Sequence, residues 1–312
     1  MRAVLITNPF ATTSGGWTKE VIIRSLEAQF DLTIQFTEKR MHAAELAKQA
    51  RRDEVDAIVT LGGDGTINEV INGLLDPEVA NLPQPLLAPI PGGLANVFPR
   101  SLGFSADAVL ATGQVIEAIE QNHSQLIPLG KMNERWFAFN AGLGLDAGIV
   151  STMEALRAEG KKASPSNYLL ASLKHYFKEA DTENPHLTVE NFDGQKVENV
   201  FMAIVQNTSP WFYIGSVALD FSPDASYKKQ LDAVALTALS PTSIATYITE
   251  AAARIPTDRR SNSVWLKDTP RLVITSDIPI PAQVDGDLVG DLTRAEFTHH
   301  RDALRVAVPL LN

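Results

Sequence analysis

Leu61-Gly62-Gly63-Asp64-Gly65-Thr66-Ile67-Asn68-Glu69-Val70-Ile71-Asn72-Gly73 is the stretch whose reading decides the fold. Ahead of it, Asp56-Ala57-Ile58-Val59-Thr60 is a short β-branched, apolar run, the pattern of a buried strand. Behind it, Ile67, Val70, Ile71 and Leu74 recur at helical spacing. The order is therefore strand, glycine-rich turn, helix. Glycines at 62, 63 and 65 let the backbone take left-handed φ and let a ligand come close. The following helix points its free N–H groups at that turn, which makes it a seat for phosphate. Asp64 is placed to orient a metal or a hydroxyl, or to cap the helix. With Asn68-Glu69 on the first turn as well, the reading adopted is a nucleotide-phosphate site.

Working outward, the same alternation fills the first third of the chain. Ala3 to Ile6 reads as a strand ended by Asn8-Pro9, followed by a small-residue loop from Ala11 to Gly16. Backbone N–H groups and hydroxyls in such loops hold phosphates, or the loop is a plain polar connector. A helix is predicted over 18–29, with Val21, Ile22, Leu26 and Phe30 inward. A strand follows over 31–36, ended by Thr37, then an Ala-rich helix over 41–52. Leu86 to Ile90 is a fourth strand, leading into a second glycine turn, Pro91-Gly92-Gly93-Leu94-Ala95-Asn96. Asn96 reads first as a cap. Strand–helix alternation predicts a parallel doubly wound sheet, which binds ligands beyond the carboxyl ends of its strands. The Asn8 loop, Thr37 and the Gly62 loop all fall at such ends.

Near Leu126 the pattern changes to strands and hairpins, so two domains are expected, 1–126 and 127–302, with 303–312 a candidate strand returning to the first. The second is expected to be a mostly antiparallel β-sandwich. It opens on the alternating run Glu134 to Asn140, followed by a third Gly/Asp cluster, Gly142-Leu143-Gly144-Leu145-Asp146-Ala147. Two helices are predicted within 151–180, where Arg157, Lys161, Lys162, Lys174 and Lys178 gather positive charge. Strands are expected over 187–190 and 196–206 about Asp193-Gly194, then over 231–239, 271–276, 282–288 and 303–309, with a helix over 243–255.

Bulk numbers narrow the class. The 312 residues are 45% hydrophobic and 21% charged, as in an ordinary soluble globular protein. With no cysteine there are no disulfides, thiolate zinc sites or cysteine nucleophile. The start reads as a first strand rather than a signal peptide, and no apolar stretch approaches the roughly 20 residues that span a bilayer. A net charge of −10 argues against a nucleic-acid partner.

Taken together, these pieces resemble the diacylglycerol kinase catalytic-domain family, which includes bacterial lipid kinases and sphingosine kinases. The resemblance rests on Asn8-Pro9, on Gly62-Gly63-Asp64-Gly65-Thr66 with Asn68-Glu69 and Asn72-Gly73, and on Pro91-Gly92-Gly93 with Asn96 and Arg100. It continues through Phe139-Asn140-Ala141-Gly142 with Gly144 and Asp146-Ala147, and ends on Asp285-Gly286-Asp287. It implies ATP-dependent, Mg²⁺-assisted transfer of a γ-phosphoryl group to a lipid hydroxyl, such as that of diacylglycerol. It also implies an α/β nucleotide domain and a β-sandwich domain with the active site between them. Asn8, Pro9, Thr12, Thr13, Thr37, Gly62, Gly63, Asp64, Gly65, Thr66, Asn68, Glu69, Gly92, Gly93 and Asn96 are implied at the ATP site. Asp64 would support phosphate and Mg²⁺, and Asp287, with Asp285 beside it, would take the hydroxyl proton. The implied working place is cytoplasmic, peripheral at the inner membrane face; a homodimer stays open.

Four positions depart from the family's pattern. Thr12 and Thr13 stand where glycine often follows the first Pro, and Leu94 replaces a threonine hydroxyl. Asp287 is one methylene shorter than the usual glutamate. Ser226-Tyr227-Lys228-Lys229-Gln230 replaces an Asp-Gly that helps build a separate structural Mg²⁺ site in bacterial members, so that site is expected to be absent. Two other readings stand beside the lipid kinase. One is a kinase of NAD or another soluble metabolite, since GGDGT is shared with NAD kinases. The other is a nucleotide-binding protein that has lost catalysis.

Overall fold

The computed structural model describes residues 1–9, 16–144, 147, 181–255 and 263–310. Thr12, Thr13, Asp146 and the basic stretch 151–180 lie outside the described residues. The chain divides into two compact units, Met1–Ile127 with Asp302–Asn312, and Pro128–Arg301.

The first unit is α/β. Its elements run β1 (Arg2–Thr7), α1 (Gly16–Glu27), β2 (Asp31–Phe36), α2 (His42–Arg52), β3 (Ala57–Gly62), α3 (Asp64–Leu74), β4 (Leu86–Pro91), α4 (Val97–Ser101) and α5 (Ala108–Glu120). β1 pairs in parallel with β2 on one side and β3 on the other, and β3 pairs in parallel with β4. The far edge is closed by the end of the chain, where Val306 pairs in parallel with Leu87. β3 and β4 are buried along their whole length, as the apolar runs of central parallel strands require. On α1, Ile22 and Leu26 are buried with Phe30, whereas Val21, expected inward, is only half-buried. The alanines of α2 at 43, 47 and 50 are buried, and this small-residue face lets α3 come so near that a side chain at Gly73 would overlap the Ala44 carbonyl.

The second unit is β-rich and mostly antiparallel. It holds β5 (Ser124–Met132, whose first residues belong to the first unit), β6 (Arg135–Phe137), β7 (Asn140–Gly144), β8 (Leu187–Asn191), β9 (Lys196–Val200) and β10 (Met202–Gln206). Then follow β11 (Phe212–Ile214), β12 (Val217–Leu219), β13 (Leu231–Leu236), α6 (Pro241–Ala252), β14 (Ser263–Thr269), β15 (Arg271–Val284) and β16 (Asp287–Ala307, whose last residues belong to the first unit). The main path runs β14-β13-β10-β7-β15-β16, with β8 on β15 and β9 on β8. Phe137, Leu143, Val189, Val205, Leu272, Val284 and Phe297 meet in its larger core.

Two sequence expectations need correction here. The run expected over 196–206 breaks at Phe201, because β9 pairs with β8 while β10 pairs with β7 and β13. The strand expected over 282–288 contains a reversal. β15 ends at Val284 and β16 starts at its pairing partner Asp287. Asp285 and Gly286 take φ of 47° and 81°, the left-handed pair whose twist suits a two-residue hairpin turn.

Candidate active site

The parallel register of β3 on β4 pairs Gly62 with Pro91, so the two glycine turns leave the sheet side by side. The Gly92 N–H donates to the Gly62 carbonyl at 2.8 Å. A Cβ on Gly92 would stand 2.8 Å from the Gly62 nitrogen, and one on Gly93 would stand 2.5 Å from the Gly63 Cα. Backbone lies against backbone, and only glycine permits it.

Two side chains fasten this contact. Asp64 accepts from the N–H groups of Val97 at 3.0 Å and Phe98 at 2.9 Å, one on each carboxylate oxygen. It therefore caps α4, 33 residues downstream, rather than its own helix. Asn96 takes a left-handed φ of 49°. Its Oδ1 accepts from the Gly93 N–H at 2.7 Å and its Nδ2 donates to the Gly93 carbonyl at 3.0 Å. The cap expected from Asn96 thus belongs to Asp64, and Asn96 instead clamps the turn before it. The N–H groups of Gly92 and Gly93 are spent inside the protein. The first turn of α3, over Asp64 to Thr66, carries backbone N–H groups that helix geometry gives no intrahelical acceptor, the kind of donor an anion would use.

Other expected residues are distributed around this core. The Asn8 N–H donates to the Leu61 carbonyl at 3.4 Å, which keeps Asn8-Pro9 beside the end of β3. The Thr37 N–H donates to the Thr7 carbonyl at 3.0 Å, and Thr37 is buried at the end of β2. The Thr66 side chain lies over Gly62, its Oγ1 2.9 Å from where a Cβ would be. Asn68 is buried, and its Oδ1 and carbonyl take the Asn72 amide. Glu69 turns away: its two oxygens accept from Met41 at 2.8 Å and Ala43 at 3.1 Å, capping α2.

The arrangement fits the phosphates of a nucleotide, because close backbone and a helix N-terminus meet at the carboxyl edge of the sheet. For Mg²⁺, the Asp64 carboxylate is the residue on this edge whose chemistry suits the ion, and each of its oxygens already holds one backbone N–H.

In the second unit, Asp285 is 2% exposed. One of its oxygens accepts from Ala138 at 2.7 Å, the other from Phe139 at 3.0 Å and Asn140 at 3.1 Å. Its own N–H donates to the Asn140 carbonyl at 2.8 Å. Asp285, expected beside the proton acceptor, is thereby a latch between the β15–β16 turn and the 138–140 backbone. Gln283, which the sequence reading passed over, completes the latch. Its Oε1 accepts from the Gly286 N–H at 2.9 Å, and its Nε2 donates to Asn140 Oδ1 at 2.8 Å. A buried glutamine among apolar neighbours, two residues before Asp-Gly, was the available signal. Asp287 itself is half-buried, with the Arg135 guanidinium 3.8 Å from its Oδ2.

Residues 2–132 match the diacylglycerol kinase catalytic domain. The chain is 33% identical over 141 residues to a diacylglycerol kinase of Staphylococcus carnosus (strain TM300), covering 44% of this chain and 42% of that protein. It is 37% identical over 144 residues to one of Staphylococcus aureus (strain JH9), covering 44% and 41%. The chain thus spans less than half the length of the curated relatives it matches. Beyond the family stretch the likeness is one of fold. A solved diacylglycerol kinase from Bacillus anthracis str. Sterne superposes with a TM-score of 0.75 at 22% identity, over 98% of this chain and 96% of that one.

Proposed function

We propose that this chain is an ATP-dependent lipid kinase that phosphorylates the hydroxyl of a lipid such as diacylglycerol. The observation that carries the reading is the seating of Gly62-Gly63 against Gly92-Gly93, locked by Asp64 and Asn96 at the N-terminus of α3. Phosphoryl transfer asks for positioning and for donors aimed at phosphate oxygens, and this cradle suits both. Under this reading Asn8, Thr37 and Thr66 would line the nucleotide. Mg²⁺ bound with ATP would neutralise charge on the phosphates, with Asp64 the residue to hold it.

In the reaction, the lipid hydroxyl oxygen forms a bond to the γ-phosphorus while the bond from that phosphorus to the β,γ-bridging oxygen breaks. The hydroxyl proton passes to the Asp287 carboxylate, and a lipid phosphate monoester and ADP leave. The place of work under this reading is the cytoplasmic face of a membrane. Among the described residues no helix is long and apolar enough to cross one.

The test is transfer of label from γ-labelled ATP into a mixed-micelle lipid panel, with NAD as a soluble control and Asp287→Asn alongside. Label in an organic-extractable product, lost in the variant, is the expected result. Label in NADP would move the chain to the NAD kinases. Bound ATP with no transfer would leave a nucleotide binder.

The absence of the family's structural Mg²⁺ site belongs to the same reading. Lys228 stands where the family's pattern carries a carboxylate, and a lysine ammonium cannot ligate Mg²⁺. A crystal soaked in Mn²⁺ is expected to show no anomalous peak beside residues 226–232, and a peak there would sink the idea.

A further inference from the structure

We propose that Arg135 is a positioning residue for the phosphoryl-transfer step, holding the Asp287 carboxylate as its ion-pair partner. The proposal rests on the reading of Asp287 as the proton acceptor.

β6 is only three residues long, yet it is fixed from both sides. Side chains alternate across a strand, so Arg135 and Phe137 share one face and Trp136 takes the other. Phe137 is fully buried and meets Phe297 edge-on, with ring centroids 6.2 Å apart. Trp136 packs against His300 at 4.7 Å, and the Lys131 ammonium lies 5.3 Å from its ring. The next three residues, Ala138, Phe139 and Asn140, give their N–H groups to Asp285. The strand bearing Arg135 is thus tied to the turn bearing Asp287 by bonds that neither residue makes itself.

Within that frame Arg135 Nη2 stands 3.8 Å from Asp287 Oδ2, with the two side chains 19% and 23% exposed. Charges at this separation and partial burial interact more strongly than a solvated surface pair. Arg135 faces Asp287 from β6, and Asp285 stands two residues back in the same turn with both oxygens taken by backbone. An aspartate is a shorter arm than a glutamate and sweeps a smaller volume. A guanidinium beside it fixes which oxygen faces outward, and its planar fork does so better than an ammonium. Misplacing a base by an ångström can cost roughly a hundredfold in rate.

Two measurements on the full-length protein test this, one without reference to any lipid. The Asp287 carboxyl is followed by ¹³C NMR through a pH titration, with Asp287→Asn supplying the assignment. In Arg135→Gln the midpoint is expected to rise by about half a unit or more, because the neighbouring positive charge is gone. In Arg135→Lys it stays near the wild-type value. In label-transfer kinetics, Arg135→Gln is expected to lower kcat roughly tenfold to a hundredfold with KM for ATP within about twofold, and Arg135→Lys to recover part of kcat. A titration midpoint unmoved in Arg135→Gln would overturn the proposal, as would full kcat in that variant. No transfer by the wild-type protein, with the midpoint shift still present, would fault the kinase reading and leave the pairing standing. Should Arg135→Gln not fold, the Arg135→Lys kinetics decide: an unchanged kcat overturns the role of the fork.

Discussion

Gly93 and Asp232 show how far a single residue can be committed in this protein. The Gly93 Cα faces the Gly63 Cα across the two turns, and a Cβ there would meet backbone, which cannot swing aside. Gly93→Ala is expected to part the turns and weaken ATP binding by at least tenfold, while the far-ultraviolet circular dichroism stays as it was. Titration calorimetry with ATP and Mg²⁺ reads it; unchanged affinity would remove the turns from the nucleotide site. Asp232 is 1% exposed, and its Oδ1 accepts from the Asp268 N–H at 2.8 Å. Burial pushes its carboxyl up from the ordinary range, with Lys229 and Lys267 opposing. A carboxyl raised in the folded state contributes stability below the unfolded value of about 4, and loses it as pH rises through the raised value. Asp232→Asn keeps Oδ1 for Asp268 and removes the buried charge. Its melting temperature relative to wild type is therefore expected to be higher at pH 8 than at pH 4. Calorimetry at the two pH values showing the reverse order would put the charge, not its burial, on the stabilising side.

At the scale of elements, three helix ends in the first unit are finished by side chains from elsewhere, whereas α5 is capped by its own Asp107. Asp64 caps α4, Glu69 caps α2, and Arg51 closes the end of α3. Arg51 is 5% exposed, and its guanidinium donates to the carbonyls of Leu74, Ala80 and Leu82. Arg51→Met fills similar space and leaves three carbonyls without that donor. It should cost the first unit about 3 kcal/mol, since each buried acceptor left open costs roughly 1–3 kcal/mol. Urea unfolding followed at that unit checks it; a loss under about 1 kcal/mol would mean water takes over.

These caps also explain what was legible in the sequence. β3, the glycine turn and α3 could be read because strand burial, positive φ and helical period are local signals. The Asp-Gly pair at 285–286 is a local hairpin signal of the same kind, although it fell inside a strand expected over 282–288. What Asp64, Glu69 and Asp285 do was not visible, because their partners lie 33, 26 and 145 to 147 residues away. A carboxylate in a phosphate-binding motif looks the same on paper whether its oxygens face a metal or a backbone. Asn96 is the instructive case between: its partner is only three residues off, yet the cap seemed the more ordinary use.

On the scale of the molecule, the first unit is discontinuous. Leu304, Val306 and Ala307 are fully buried in it, and Val306 pairs with Leu87. Gln84 accepts from the Arg305 N–H at 2.7 Å and donates to the Ala303 carbonyl at 3.2 Å, and His123 Nδ1 is 2.9 Å from the Val308 carbonyl. Ending the chain at Arg301 would therefore expose one edge of β4 and forfeit about 1.5–3 kcal/mol for each large side chain no longer buried. The shortened protein is expected to lose its first-unit melting transition and its ATP binding together. A truncated chain that still bound ATP with wild-type affinity would show that this strand is dispensable.

That discontinuity sets an order of events on the ribosome. The strand that finishes the nucleotide-binding unit is made after the whole second unit. At roughly 5–20 residues per second, β4 waits some tens of seconds with one edge uncovered. An uncovered edge of a buried, apolar strand is a template for pairing with any other nascent chain. Leu87, which sits in the middle of that edge, is thus the place where a holding chaperone would do most good, and where crowded synthesis would first turn soluble product into aggregate.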